Sequence, residues 1–155
     1  MNYIDLFSGS GGLSLGFDQA GFENVFSVEY DKHSAATYRL NFPDHKLIEK
    51  DIRTISNDEI TKLTNGTKVD IVIGGPPCQG FSMAGNIGRK FLDDPRNQLF
   101  REFVRFVRVL NPSYFLLENV SRLYNHNKGN TLKEIIDEFA KLGYIVNYRV
   151  ILTSD

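Results

Sequence analysis

The sequence contains one cysteine, and its surroundings are typical of a positioned nucleophile. Cys78 follows Pro76-Pro77 and precedes Gln79-Gly80. The apolar run at residues 69–73 predicts a buried strand, which puts Cys78 in a loop at the end where open α/β sheets bind ligands. The two prolines stiffen that loop. The alternative is a buried, purely structural cysteine, but such a residue is more typical within the apolar run itself.

A glycine-rich turn follows the first predicted strand. Residues 2–7 are mostly apolar, and Ser8-Gly9-Ser10-Gly11-Gly12 separates them from a predicted helix at residues 13–20. Glycines let backbone approach a ligand closely, and a helix amino-terminus offers free N–H groups. Because Ser14 occupies the place of a third glycine, the spacing does not fit a dinucleotide fingerprint, and no Gly-Lys-Ser/Thr follows for a P-loop. The turn therefore predicts a nucleoside site that need not hold a pyrophosphate.

Acidic residues follow three other predicted strands. Glu29 ends the second strand about 20 residues after the glycine turn, where a carboxylate can bind ribose hydroxyls. Asp51 follows a weak third strand. Glu118 comes directly after Phe115-Leu116-Leu117, which we expect to be a buried strand. Because burying an unpaired acid is costly, Glu118 is a candidate catalytic residue.

Strand and helix patterns alternate along the chain, which predicts an α/β fold with a parallel sheet. The predicted strands are 2–7, 24–30, 46–52, 69–73, 114–117 and 144–152. The predicted helices after the first are 32–42, 56–63, 95–110 and 131–142. Residues 80–94 lack periodicity and contain glycines and basic side chains, which predicts a mobile lid; a disordered insertion is the alternative.

Length and composition favour one globular domain. The chain has 155 residues, of which 41% are hydrophobic. Its net charge of -1 provides no global attraction for nucleic acid, so such binding must be local or supplied by another polypeptide. One cysteine and three scattered histidines indicate neither a disulfide nor a zinc site. The sequence contains no membrane-spanning run and no signal peptide, so we expect a cytoplasmic protein.

Taken together, these motifs resemble those of the cytosine-5 DNA methyltransferases in both order and spacing. The matching segments are Asp5-Leu6-Phe7-Ser8-Gly9-Ser10-Gly11-Gly12-Leu13, Glu29-Tyr30-Asp31, Pro76-Pro77-Cys78-Gln79, Asp94-Pro95-Arg96-Asn97-Gln98-Leu99 and Glu118-Asn119-Val120. Five motifs spread over nearly the whole chain make the match specific. The resemblance implies the Rossmann-like sheet of class I S-adenosylmethionine-dependent methyltransferases, in a single catalytic domain at residues 1–155.

The resemblance also implies a cofactor site for S-adenosylmethionine. The turn would surround the methionine part, Glu29 would contact the ribose, and Asp51 and Ile52 would flank the adenine. The implied cofactor-binding residues are Phe7, Ser8, Gly9, Gly11, Gly12, Leu13, Glu29, Tyr30, Asp51, Ile52, Gly75, Pro77 and Leu99.

The same resemblance assigns the chemistry to two residues. The target cytosine would leave the base stack, since its reacting atoms are inaccessible within a duplex. The Cys78 thiolate would add to ring carbon 6. Glu118 would bind ring nitrogen 3 and the amino group, so that carbon 5 becomes nucleophilic and takes the methyl group.

The sequence departs from the family at its carboxyl-terminal end. The family continues into a Gln-x-Arg-x-Arg motif, a target-recognition domain and a closing helix, and in the related fold a final antiparallel strand fills the sheet between the strands near Phe115 and Val150. We therefore expect a sheet that is incomplete at that end, with open strand edges. We also expect an amino-terminal fragment or one subunit of a split enzyme, acting on double-stranded DNA together with a complementary carboxyl-terminal polypeptide.

Two other functions fit the same residues. A related branch of the family methylates transfer RNA with the same motifs. A non-catalytic subunit that binds S-adenosylmethionine would also retain them.

Overall fold

The computed structural model describes residues 1–77 and 97–151, which form a parallel sheet with helices on both faces. Its strands are β1 (Asn2–Leu6), β2 (Glu23–Glu29), β3 (Leu47–Glu49), β4 (Ile71–Gly74) and β5 (Tyr114–Leu117). They lie in the order β3-β2-β1-β4-β5, and all four neighbouring pairs are parallel. The prediction of an α/β fold with a parallel sheet is confirmed.

Helices connect the strands. They are α1 (Gly12–Gln19), α2 (Lys32–Asn41), α3 (Asn57–Leu63), α4 (Gln98–Leu110), α5 (Arg122–Asn125) and α6 (Asn130–Lys141), with 3-10 turns at Ile52–Thr54 and His126–Gly129. Asp31 and Ser56 cap α2 and α3 by accepting backbone N–H bonds from Ser34 and Glu59. In the part of the chain that the structure describes, no helix is both long and apolar enough to cross a membrane.

The sheet is packed on both faces. Ile4 and Leu6 of β1 face the larger core, which contains Phe100 and Phe103 of α4. Phe139 of α6 extends this core, its ring stacked 3.9 Å from that of Phe115. On the opposite face Tyr3, Ile71 and Ile73 form a smaller apolar cluster. The side chains that pack against it are Leu13, Phe17 and Phe22. Burial on both faces holds the carboxyl ends of the strands along one rigid edge.

Two predictions at the end of the chain were wrong. β5 is not a buried strand: Tyr114 is 59% and Leu116 39% exposed. Among the described residues β5 pairs only with β4, so its outer edge remains uncovered. The strand predicted at 144–152 does not form over residues 144–151, because none of the described strands supplies the backbone partners it would need. Tyr144 still anchors this segment by donating its hydroxyl to Pro112 O at 2.7 Å.

Candidate functional site

The β1–α1 connection is a tight turn with several left-handed residues. Phe7, Gly9 and Gly11 have φ angles of 60°, 56° and 96°. The Ser8 N–H donates to Val28 O of the neighbouring strand at 3.1 Å, and the Gly11 N–H donates to Ser8 O at 2.9 Å. Gly11 also occupies the N-cap position of α1. The turn therefore directs the amino-terminus of α1 toward the carboxyl edge of the sheet.

The glycines of this turn have different surroundings. A Cβ atom built on Gly11 would lie 2.1 Å from Cε2 of Phe42, so this glycine allows close packing inside the fold. A Cβ atom on Gly9 or Gly12 would meet no atom within 4 Å. These two glycines thus border open space, and they leave bare backbone that a ligand can approach. That arrangement fits the predicted nucleoside cofactor.

Glu29 binds the turn through its carboxylate. Its Oε2 accepts the Gly9 N–H at 2.7 Å, while Oε1 accepts the N–H groups of Tyr30 at 2.8 Å and Asp31 at 2.7 Å. A carboxylate has more acceptor positions than these three bonds use, so it can still accept ribose hydroxyls. Tyr30 is 70% exposed beside it and offers an aromatic face to a ligand.

The predicted adenine neighbours differ in their surroundings. Asp51 follows β3 and binds Arg53 through both carboxylate oxygens, and the hydrogen bonds from Arg53 lower the pKa of Asp51. Ile52 is buried, with its side chain in the larger core. Leu13 and Leu99 are half-buried and pack against the two cores. Asp51 is therefore the one residue of these four whose side chain could form hydrogen bonds with a ligand at the sheet edge.

Hydrogen bonds join the ends of β4 and β5. The Glu118 N–H donates to Gly74 O at 3.0 Å, and the Asn119 side chain donates to Pro76 O at 3.0 Å. A Cβ atom built on Gly75 would lie 2.9 Å from Oε2 of Glu118, so this carboxylate packs directly against the glycine. Pro77 is exposed. Cys78 and the lid predicted at residues 80–94 lie outside the described residues.

The expected burial of Glu118 was wrong. Its side chain is exposed, because β5 is an edge strand and Glu118 lies just beyond its end.

The strand order places the predicted residues along one edge. From β3 to β5, the edge carries Asp51, Glu29, the glycine turn, Gly75–Pro77 and Glu118. A groove of about 850 Å³ continues from this edge beside β5. Its lining includes Glu118, Asn119 and residues 143–151.

A buried polar network beneath the turn was not predicted from the sequence. The Ser14 hydroxyl donates to Asp5 Oδ2 at 2.7 Å and lies 2.9 Å from the Tyr38 hydroxyl. Tyr38 in turn lies 2.7 Å from Ser27 Oγ and 3.0 Å from Nδ1 of His45. Asp5 is fully buried, and burial raises the pKa of its carboxyl to about 7. Polar side chains within an apolar strand and on the first turns of its helix were the signal available for finding it.

Comparison with known proteins gives a consistent family. The family model of C-5 cytosine-specific DNA methylase matches residues 1–155. The chain is 56% identical to the Type II methyltransferase M1.HphI of Haemophilus parahaemolyticus over 155 residues, covering all of this chain and 42% of that protein. It is 45% identical to the Type II methyltransferase M.XorII of Xanthomonas oryzae, covering 98% of this chain and 36% of that protein.

Solved structures agree with the sequence comparison. A DNA modification methyltransferase encoded within an Escherichia coli prophage matches with a TM-score of 0.75 and 37% identity, over 91% of this chain and 38% of that one. Spodoptera frugiperda DNMT2 matches with a TM-score of 0.65 and 27% identity, over 88% of this chain and 40% of that one. The chain thus spans less than half the length of each of these four proteins. It belongs to the C-5 cytosine-specific DNA methylase family.

Proposed function

We propose that this chain is the cofactor-binding and nucleophile-bearing part of an enzyme that transfers a methyl group from S-adenosylmethionine to carbon 5 of cytosine in DNA. The observation that carries the proposal is the contact between Glu118 and Gly75. It puts a carboxylate against the loop that leads, three residues later, to the only cysteine. An acid beside a nucleophile-bearing loop is the pairing that activation of the cytosine ring requires.

The glycine turn and its neighbours are the proposed cofactor site. S-adenosylmethionine, when bound, supplies a methyl group on a positively charged sulfur. The open backbone at Gly9 and Gly12 would lie against the cofactor, Glu29 would accept hydrogen bonds from the ribose, and Tyr30 would cover part of the adenosine. Asp51 would stand at the adenine end, and the other residues implied by the resemblance would complete the site through backbone or apolar contacts.

The proposed chemistry uses Cys78 and Glu118. The Cys78 sulfur forms a bond to carbon 6 of the flipped cytosine. Glu118 provides hydrogen bonding at ring nitrogen 3, so negative charge does not accumulate on the base and carbon 5 becomes nucleophilic. Transfer of the methyl group to carbon 5 would leave the cofactor as the neutral thioether S-adenosylhomocysteine. Carbon 5 then loses its proton to a base, which re-forms the double bond between carbons 5 and 6 as the carbon 6–sulfur bond breaks and regenerates the Cys78 thiolate.

DNA is the proposed substrate because the named relatives are type II methyltransferases and the matching family model is that of a DNA methylase. A methyltransferase of this type belongs with a restriction-modification system. Transfer RNA is the alternative substrate, and covalent trapping distinguishes it from DNA.

Target recognition is proposed to come from sequence beyond these residues. The relatives named above are more than twice as long as the stretch they share with this chain. The outer edge of β5, which bonds to no other strand among residues 1–77 and 97–151, and the groove beside it offer the place where a strand from that further sequence would pair, either within one polypeptide or from a second one.

Covalent trapping tests the proposal. The chain would be combined with a polypeptide corresponding to the remaining length of M1.HphI and incubated with S-adenosylmethionine and duplex DNA that contains 5-fluorocytosine. Because fluorine at carbon 5 blocks the final elimination, a denaturant-stable protein–DNA adduct is expected. Cys78→Ser should form none. An adduct with 5-fluorocytosine transfer RNA but not with DNA would move the substrate to RNA, and cofactor binding without either adduct would favour a binding-only subunit.

A further inference from the structure

The end of β5 and the loop after β4 are linked by one side chain. Asn119 donates its Nδ2–H to Pro76 O at 3.0 Å, and its Oδ1 accepts the Val120 N–H at 2.9 Å. Both ends of this side-chain amide are therefore engaged, which fixes its orientation. Pro76 is buried, and the carbonyl that Asn119 binds lies two residues before Cys78.

Two more contacts act at the same junction. The Glu118 N–H donates to Gly74 O, which continues the β4–β5 ladder by one bond. Next to it, Oε2 of Glu118 approaches Gly75 closely enough that a Cβ atom there would lie 2.9 Å away. Glu118 thus meets Gly74 and Gly75, and Asn119 meets Pro76, the next residue of the loop. Asn119 supplies the last and outermost of these contacts.

We propose that Asn119 is a positioning residue that sets the loop leading to Cys78 in register with the Glu118 carboxylate. The inference rests on the proposed function, since it assigns Asn119 a part in aligning that reaction. The side-chain bond reaches beyond the last backbone bond of the ladder, at Glu118 N. Without it, the two prolines would keep the loop stiff but would not fix its direction relative to β5. A small error in direction matters, because a misplacement of about 1 Å can slow a positioned reaction roughly 100-fold.

Asn119→Asp is the sharpest variant. It preserves the size of the side chain and the acceptor for Val120 N–H, but it replaces the donor to Pro76 O with an oxygen that repels the carbonyl. Asn119→Ala removes the donor without adding charge, and it remains informative if the aspartate variant fails to fold. Asn111→Asp is the matched control, because Asn111 lies at the opposite end of β5, beyond the carboxyl-terminus of α4.

The experiment compares two reactions of the single thiol. In the completed enzyme, adduct formation with 5-fluorocytosine DNA requires an aligned thiol, whereas alkylation by iodoacetamide requires only an accessible one. For Asn119→Asp and Asn119→Ala we expect adduct formation to slow by at least about ten-fold. In both variants the rate of alkylation and the affinity for S-adenosylmethionine should stay within about two-fold of wild type. For Asn111→Asp, the rate of adduct formation should also stay within that range. Wild-type adduct rates in both Asn119 variants would overturn the proposal, as would an equal loss of both reactions.

A second measurement separates this proposal from the proposed function. Hydrogen exchange of the peptide covering residues 74–81 is read by mass spectrometry without any substrate. Faster exchange in Asn119→Ala than in Asn111→Asp supports the positioning role even if wild-type protein forms no DNA adduct, a result that would count against the methyltransferase function alone. Equal exchange in the two variants would overturn the positioning role.

Discussion

The Gly9 N–H donates a 2.7 Å hydrogen bond to the carboxylate of Glu29, which joins the glycine turn after β1 to the end of β2. The same carboxylate accepts the N–H groups of Tyr30 and Asp31. Glu29 is therefore part of the turn's own structure as well as the proposed ribose ligand. A substitution of Glu29 should therefore lower the stability of the protein even in the absence of a ligand.

Glu29→Gln tests this structural role. The amide nitrogen of glutamine is a donor, and on either side it would face a backbone N–H, so at least one hydrogen bond at the turn is replaced by a repulsion. We expect the free energy of unfolding in urea to fall by about 1–3 kcal/mol. Glu23→Gln, the same change at the exposed start of β2, should shift it by less than about 0.5 kcal/mol. Equal midpoints for the two variants would show that the Glu29 carboxylate does not support the turn.

Gly11→Ala should destabilise the fold strongly. The new methyl group would lie 2.1 Å from Phe42 Cε2, and the residue has a φ of 96° that alanine disfavours. The Phe42 ring cannot easily move, because it packs 4.8 Å from the Tyr38 ring and 4.9 Å from the His45 ring. We expect a loss of about 2–4 kcal/mol in urea unfolding.

Gly16→Ala is the control for that substitution. It lies within α1 with open space around its Cβ position, and alanine favours helix by up to about 1 kcal/mol. It should therefore be neutral or stabilising. A Gly11→Ala protein as stable as Gly16→Ala would contradict the packing of the turn against Phe42.

Gly74 and Gly75 should respond differently to alanine. At Gly74 the Cβ atom would lie 2.2 Å from the backbone oxygen of Leu6, so the β1–β4 pairing must distort, at a cost of about 1–3 kcal/mol or more. At Gly75 the methyl group meets the end of the Glu118 side chain, which can move aside. Gly75→Ala should leave urea stability within about 1 kcal/mol of wild type and slow adduct formation with 5-fluorocytosine DNA. Normal adduct formation in a stable Gly75→Ala protein would argue against a role for this contact.

Asp5 should make stability fall as pH rises. Burial raises its pKa from 3.8 to about 7, so between these values the folded protein holds a proton that the unfolded chain has released. The stabilising contribution is complete below 3.8 and is lost as pH passes through 7, at a rate of up to about 1.4 kcal/mol per pH unit. Asp5→Asn cannot titrate. The difference in unfolding free energy between wild type and this variant should therefore change over that range, and parallel curves would contradict the raised pKa.

The sequence predicted the sheet well because its strands are short apolar runs bounded by glycine, proline and acidic residues. The caps of α2 and α3 are also formed locally, since Asp31 and Ser56 act on residues three positions ahead. Both signals are local. The parallel order follows from the alternation of strand and helix, which leaves few other arrangements.

Features that depend on distant parts of the chain were not predicted correctly. Residues 144–152 have a strand-like composition, but over 144–151 they pair with none of the strands in the described part of the chain. Glu118 looked buried from its apolar neighbours, yet its exposure is decided by what lies beside β5. The Asp5–Ser14–Tyr38 network joins three elements, so polar residues in the strand and its helix could indicate members of the network but not the contacts between them. The assignments of individual cofactor and catalytic residues remain predictions.

Methyl transfer tests most directly whether this chain carries the nucleophile of a cytosine-5 methyltransferase. Tritium from methyl-labelled S-adenosylmethionine would be followed into duplex DNA, using this chain alone and with the polypeptide that supplies the remaining length, and Cys78→Ser as control. We expect 5-methylcytosine in DNA treated with the completed wild-type enzyme and none with Cys78→Ser. Absence of label despite demonstrated assembly and cofactor binding, or equal labelling by Cys78→Ser, would contradict it.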